Sequence, residues 1–122
     1  MMGRKGRTKK EIKEVLEARF EYYLSQRLDD IMSSYSHDVS CQGSVPQAII
    51  SFLESRDFED AIRNAISLGG DADTQACIAG ALAEAHYMNI PDQIKEFVFR
   101  KITPDLSHVT NQFLGITRIV LN

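Results

Sequence analysis

Two aspartates and a threonine, Asp71, Asp73 and Thr74, stand within four residues of one another, directly behind Gly69 and Gly70. Carboxylate and hydroxyl oxygens crowded in this way suit a hard divalent cation. Magnesium takes oxygen ligands in a near-octahedral array and accepts one or two carboxylates, with water and phosphate completing the set. The competing reading is structural. Asp and Thr are favoured at helix starts, where a side-chain oxygen accepts from an orphan amide and negative charge complements the helix dipole. A cap uses one acceptor, however, and a second carboxylate two residues on adds like-charge repulsion without a structural return. On the residues alone capping is the commoner use of such a segment, and the second carboxylate keeps metal ligation by Asp71, Asp73 and Thr74 open beside it.

The elements on either side place these oxygens at a bend. Upstream, Phe58, Ala61, Ile62, Ala65 and Ile66 recur at spacings of three and four, one face of a helix, with Asp57 as its N-cap. Gly69 and Gly70 end that helix, because glycine takes left-handed dihedrals at little cost. Downstream, residues 75–87 are helical again, and Ala76, Ala79, Gly80, Ala81, Ala83 and Ala85 leave this second helix with little bulk on nearly every side. Gly80 costs roughly 1 kcal/mol of helix propensity against alanine, which is tolerable where a neighbour passes close over it. The small-residue helix is therefore expected to be central and tightly packed, holding Asp71 and Asp73 rigidly at its start.

Residues 65–80, around Ser67-Leu68-Gly69-Gly70-Asp71-Ala72-Asp73-Thr74, resemble the C-terminal metal-binding motif of the ADP-ribosylglycohydrolase family. The run Ser40-Cys41-Gln42-Gly43-Ser44-Val45-Pro46-Gln47-Ala48-Ile49-Ile50-Ser51-Phe52-Leu53-Glu54-Ser55 is similar to the segment that precedes this motif in bacterial members. The resemblance extends from about Thr8 to about Pro91 and is densest between Ser40 and Glu84. It implies an all-α fold and magnesium held by Asp71, Asp73 and Thr74. It also implies hydrolysis of the glycosidic bond of ADP-ribose adducts, with water near the metals attacking the anomeric carbon.

The family builds its site from a second acidic segment as well, of the type Thr-Asp-Asp, and no adjacent Thr-Asp-Asp occurs here. Asp29-Asp30, behind Leu28, reads as a solvated helix face. The expectation is a compact multi-helix domain over residues 1–122, matching the C-terminal portion of the fold, with residues 1–7 a mobile basic arm. As a hydrolase it is complete only if another chain supplies the missing ligands, and alone it is weak or inactive, with no catalytic residue assigned. The alternative is a non-catalytic, truncated relative that acts as a metal-binding or protein-interaction module. Faces that would pack on the other part need cover, which points to a homo-oligomer, most simply a two-fold dimer, or to a complementary chain. The substrate linkage, whether arginine, serine or a small-molecule ester, stays open.

Composition sets the remaining bounds. A chain of 122 residues with 43% apolar content can bury a core. A net charge of −3 argues against nucleic acid or a membrane surface as dominant partner, although Arg4, Lys5, Arg7, Lys9 and Lys10 crowd the start. No leader or spanning run is expected, and a cytoplasmic setting follows. Cys41 and Cys77 do not make a disulfide framework, and Cys77 reads as a small core residue. His37, His86 and His108 are not paired at ligand spacing, and His86 reads as a helix C-terminal residue favourable with the dipole.

The other elements follow from pattern and punctuation. Thr8 and Glu11 form a capping box for a helix through about Leu24, with Ile12, Val15, Leu16, Phe20 and Tyr23 inward. Leu28, Ile31 and Met32 continue it before a turn at residues 33–38. Ser44 caps the next helix, Pro46 lies near its first position, Gln47 completes a capping box, and Ala48, Ile49, Phe52 and Leu53 form its stripe. A helix opens at Pro91 with Ile94, Phe97 and Val98 buried. Thr103-Pro104-Asp105 breaks it, and a last segment carries Leu106, Val109, Phe113 and Leu114. The apolar tail, residues 115–121, fits a strand, a docking segment or a buried turn equally well.

Overall fold

The computed structural model describes residues 6–32 and 40–121. Among these residues there are seven helices and no strand, so the all-α expectation holds. The chain divides into two compact units, Met1–Ile90 and Pro91–Asn122. The first holds α1 (Lys9–Phe20), α2 (Leu28–Met32), α3 (Cys41–Leu53), α4 (Phe58–Ser67) and α5 (Ala72–Tyr87).

Local chemistry explains where most of these helices start and stop. Thr8 caps α1 by accepting from the Glu11 amide at 3.2 Å, and its hydroxyl meets the Glu11 carboxylate at 3.1 Å. The helix stops at Phe20 rather than near Leu24, because Glu21 turns left-handed with φ 58° and its amide closes on the Glu17 carbonyl. That turn carries Phe20 and Tyr23 outward, against the expectation that both point in, and buries Leu24 in their place. The freed Leu24 amide bonds to the Glu17 carboxylate at 3.0 Å, and the Leu28 amide to Glu54 at 2.7 Å. In α2, Leu28 and Ile31 are buried while Met32 is exposed, and Asp29 and Asp30 lie in solvent.

α3 begins four residues earlier than its pattern suggests. Ser40, not Ser44, is the cap, accepting from the Gly43 amide at 3.1 Å, and Ser44 is buried inside the helix. Pro46 consequently sits within the helix, where it cannot donate an intrahelical bond and its ring crowds the carbonyl four residues earlier. Ala48, Ile49, Ile50, Ser51 and Phe52 are all buried, so this helix is enclosed on more than one stripe.

α5 is the element on which the unit is assembled, packing on both α3 and α4. A Cβ added at Gly80 would lie 2.8 Å from the Ile62 Cδ1 and 3.7 Å from the Phe58 ring, so α4 does pass close over it. Ala79, Ala83 and Ala85 are buried and Ala81 is exposed. The core comprises Leu24, Leu28, Ile31, Ile49, Ile50 and Leu68 in one cluster and Ile12, Phe52, Ala61 and Ala83 in another, with Leu16, Leu53 and Leu82 touching both. Phe58 and Ile62 are half-buried and Ile66 faces solvent, so the inner face of α4 is carried by Ala61 and Ala65.

Lys9 belongs to the folded unit rather than to a solvated arm. Its ammonium donates to the Ser55 carbonyl and lies 5.5 Å from the Phe52 ring centroid and 5.1 Å from that of Tyr87. Arg4 and Lys5 lie outside the described residues.

The second unit contains α6 (Asp92–Lys101) and α7 (Pro104–Leu121). The break at residues 103–105 is where the sequence places it. The Thr103 hydroxyl donates to the Asp105 carboxylate, and this bond, followed by the backbone amides of Asp105 and Leu106, holds that carboxyl below its ordinary range. The expected burial in this unit does not occur. Phe97, Val98, Leu106, Val109, Phe113 and Leu114 are exposed, and α6 has no buried residue. An apolar stripe needs a facing surface to become buried, and periodicity alone does not supply one. The tail is helical through Leu121.

Candidate metal centre

The bend between α4 and α5 is built from two glycines in succession. Leu68 closes α4 and is buried, which roots the loop in the core. Gly69 follows with φ 75° and Gly70 with φ 63°. Two consecutive left-handed residues would cost L-amino acids roughly 1–2 kcal/mol each, and glycine avoids this. Asp71 comes next as the N-cap of α5, and its carbonyl accepts from Gln75 at 3.0 Å to start the helix. Gln75 is fully buried and anchors that first turn from below.

The three oxygen-bearing side chains are disposed differently from one another. Asp71 is half-buried and occupies the cap position, yet its carboxylate makes no capping hydrogen bond. Asp73 and Thr74 are exposed in the first turn, and the Asp73 Oδ1 accepts from the Thr74 amide at 2.9 Å. Asp73 and Thr74 also line a shallow surface pocket together with Cys77 and Ile78. The structure thus gathers two of the three expected ligands in one opening, with the third two residues before them at the bend. Among the described residues no group of three His, Cys, Asp or Glu side chains is arranged to hold a metal ion. The chemistry of the donors, a half-buried carboxylate with an exposed carboxylate and hydroxyl, fits a hard cation that completes its coordination with other oxygens.

Cys77 corrects the sequence reading. It is exposed, as is Cys41, and does not lie in the core. Residues four apart share a helix face, so Cys77 falls beside Asp73 and Ile78 beside Thr74. That spacing was visible in the chain, but the apolar surroundings of position 77 masked it.

His86 lies at the far end of α5, away from the bend. Burial, and then the neighbouring Lys9 ammonium, push its pKa below the ordinary 6.5. The histidine stands in the last turn of α5, as its place in the sequence suggests. His37 lies outside the described residues, and His108 is exposed on α7.

Comparison with known proteins bears on what this bend belongs to. The family model of ADP-ribosylglycohydrolase matches residues 3–116. The ADP-ribosylhydrolase ARH3 of Danio rerio is 36% identical over 74 residues, covering 52% of this chain and 20% of the relative. An uncharacterized protein of Archaeoglobus fulgidus is 32% identical over 76 residues, covering 62% of this chain and 25% of the relative. The chain thus spans about a quarter or less of the length of these curated relatives. No solved structure matches. With the family model running through all five helices of the first unit and on into α7, this chain belongs to the ADP-ribosylglycohydrolase family.

Proposed function

We propose that the bend at residues 69–74 is one half of a magnesium centre. In this reading the chain serves in hydrolysis of the glycosidic bond of ADP-ribose adducts once the remaining ligands are supplied by another chain. The observation that carries this reading is the Asp71 carboxylate. It stands at a helix start, half-buried, and is not used as a cap. Asp71, Asp73 and Thr74 would hold the ion, and magnesium at that place supplies charge neutralisation for a diphosphate and orientation of water. The chain's own part is to keep the donors fixed: Leu68 and Gln75 tie the bend down on either side, and Gly69 and Gly70 let the chain turn between them.

A second reading has its own support. The pocket beside Asp73 and Thr74 is shallow and open to solvent. This favours a non-catalytic relative that binds a metal or a partner without turnover. Release of ADP-ribose from an ADP-ribosylated protein separates the two readings. The assay is run with magnesium or with chelator, on the chain alone and with a second polypeptide carrying a Thr-Asp-Asp segment of the family. Magnesium-dependent release that appears only with the second polypeptide supports the hydrolase reading. No release in any combination supports the non-catalytic one.

A further inference from the structure

At the end of the first unit opposite the bend, one lysine, one histidine and two aromatic rings meet. The Lys9 ammonium, from the first turn of α1, donates to the Ser55 carbonyl and lies over the rings of Phe52 and Tyr87. The same carbonyl accepts from the Tyr87 hydroxyl at 2.8 Å, and the Tyr87 hydroxyl also lies 2.8 Å from the Ser55 hydroxyl. Three elements are joined here: the start of α1, the end of α3 and the end of α5. The His86 ring stands edge-on to Phe52, centroids 5.5 Å apart, and to Tyr87, 5.1 Å apart. Its Nδ1 is buried and has no hydrogen-bond partner among the described residues.

We propose that this cluster is a proton-sensitive clamp: neutral His86 lets Lys9 hold α1 onto the α3–α5 corner, and protonation of His86 loosens it. The argument is electrostatic and steric together. An imidazolium would place a second cation against the aromatic faces that already hold the first, with a buried N–H lacking an acceptor. The charge that acts on His86 is that of Lys9. From α1 the facing group is Lys9, a cation, and the end of α3 presents Phe52 and the neutral Ser55. On α5 itself Tyr87 is neutral, and Glu84, two residues away, points to another side of the helix. The charges at the start of α4 are paired among themselves, Asp60 with Arg56 and Glu59 with Arg63. Lys9 and burial both depress the His86 pKa, which agrees with this geometry.

The test follows His86 by NMR through a pH titration in the intact chain and in Lys9→Gln. In parallel, hydrogen-exchange protection of the Ile12 amide, corrected for the intrinsic pH dependence of exchange, is measured at pH 7.5 and 5.5 in the intact chain and in His86→Gln. The clamp requires that His86 titrate below 6.5, that Lys9→Gln move its midpoint upward, and that Ile12 protection fall on acidification only where His86 is present. A midpoint unmoved by Lys9→Gln would overturn it, as would Ile12 protection that does not respond to pH or responds equally without the histidine. If His86→Gln does not fold, the Lys9→Gln midpoint decides alone.

Discussion

Asp71 and Asp57 occupy the same position in two successive helices and do different things there. Asp57 accepts from the Asp60 amide at 2.8 Å, whereas the Asp71 carboxylate makes no such bond. Truncating each to alanine therefore separates a cap from a candidate ligand. Asp57→Ala should cost about 1 kcal/mol of stability, the usual value of a lost N-cap. Asp71→Ala should stay within about 0.5 kcal/mol of wild type, with both values read from urea unfolding midpoints. A loss at Asp71 as large as that at Asp57 would restore the capping interpretation of the bend. The sequence shows that Asp71, Asp73 and Thr74 are near one another, since proximity along the chain is proximity in space at this range. It does not show which carboxylate is used by the backbone, because that depends on the cap torsions. The exposure of Cys77 was lost for a related reason: a small apolar-looking residue among alanines has no local mark of which face it occupies.

The helices whose ends were legible are those in which one side-chain oxygen meets an amide three residues on, as at Thr8 and Asp57. At α3 the sequence reading places the start at Ser44. The Ser44–Gln47 pairing matched a capping box, while Ser40 had only Gly43 at the corresponding distance; the structure uses Ser40 and takes Pro46 into the helix. The apolar stripes of α6 and α7 were legible as stripes but not as burial, because burial requires a second surface that periodicity does not specify. Between α4 and α5 the contact is specific enough to predict from. Replacing Gly80 by alanine puts a methyl group 2.8 Å from the end of the Ile62 side chain, which can rotate, and adds helix propensity. Gly80→Ala is therefore expected within about 1 kcal/mol of wild type. Gly80→Leu has no such escape and should cost about 1–3 kcal/mol or more by overpacking. Thermal unfolding of the two variants measures the contrast, and equal, small effects would show that α4 does not lie over Gly80.

On the scale of the molecule, the chain spans 20–25% of the length of the relatives described above, and the proposed reading has another chain supply the remaining ligands. α6 and α7 carry exposed apolar residues, Phe97 at 54% and Val109 at 61% of full exposure among them. An apparent mass above that of a 13.8 kDa monomer in sedimentation at micromolar concentration is expected if a second copy covers them. A clean monomer would leave the role to a different chain. Stability should also depend on pH through His86. Its folded-state pKa lies below the ordinary 6.5, so the neutral ring's contribution is complete above that value. It is lost as pH falls from 6.5 through the folded pKa, because the unfolded chain binds the proton first. Urea midpoints at pH 7.5 and 5.5 should differ in that direction, and His86→Gln should reduce the difference.

The most direct test of the metal centre is calorimetric titration of magnesium, followed by ADP-ribose in its presence, into the chain and into Asp71→Ala. Saturable magnesium binding that disappears in the folded variant is the predicted result, and ADP-ribose binding on top of it would mean that a working site has assembled. Absence of magnesium binding, or binding that survives Asp71→Ala unchanged, would contradict the assignment of the bend as a metal site.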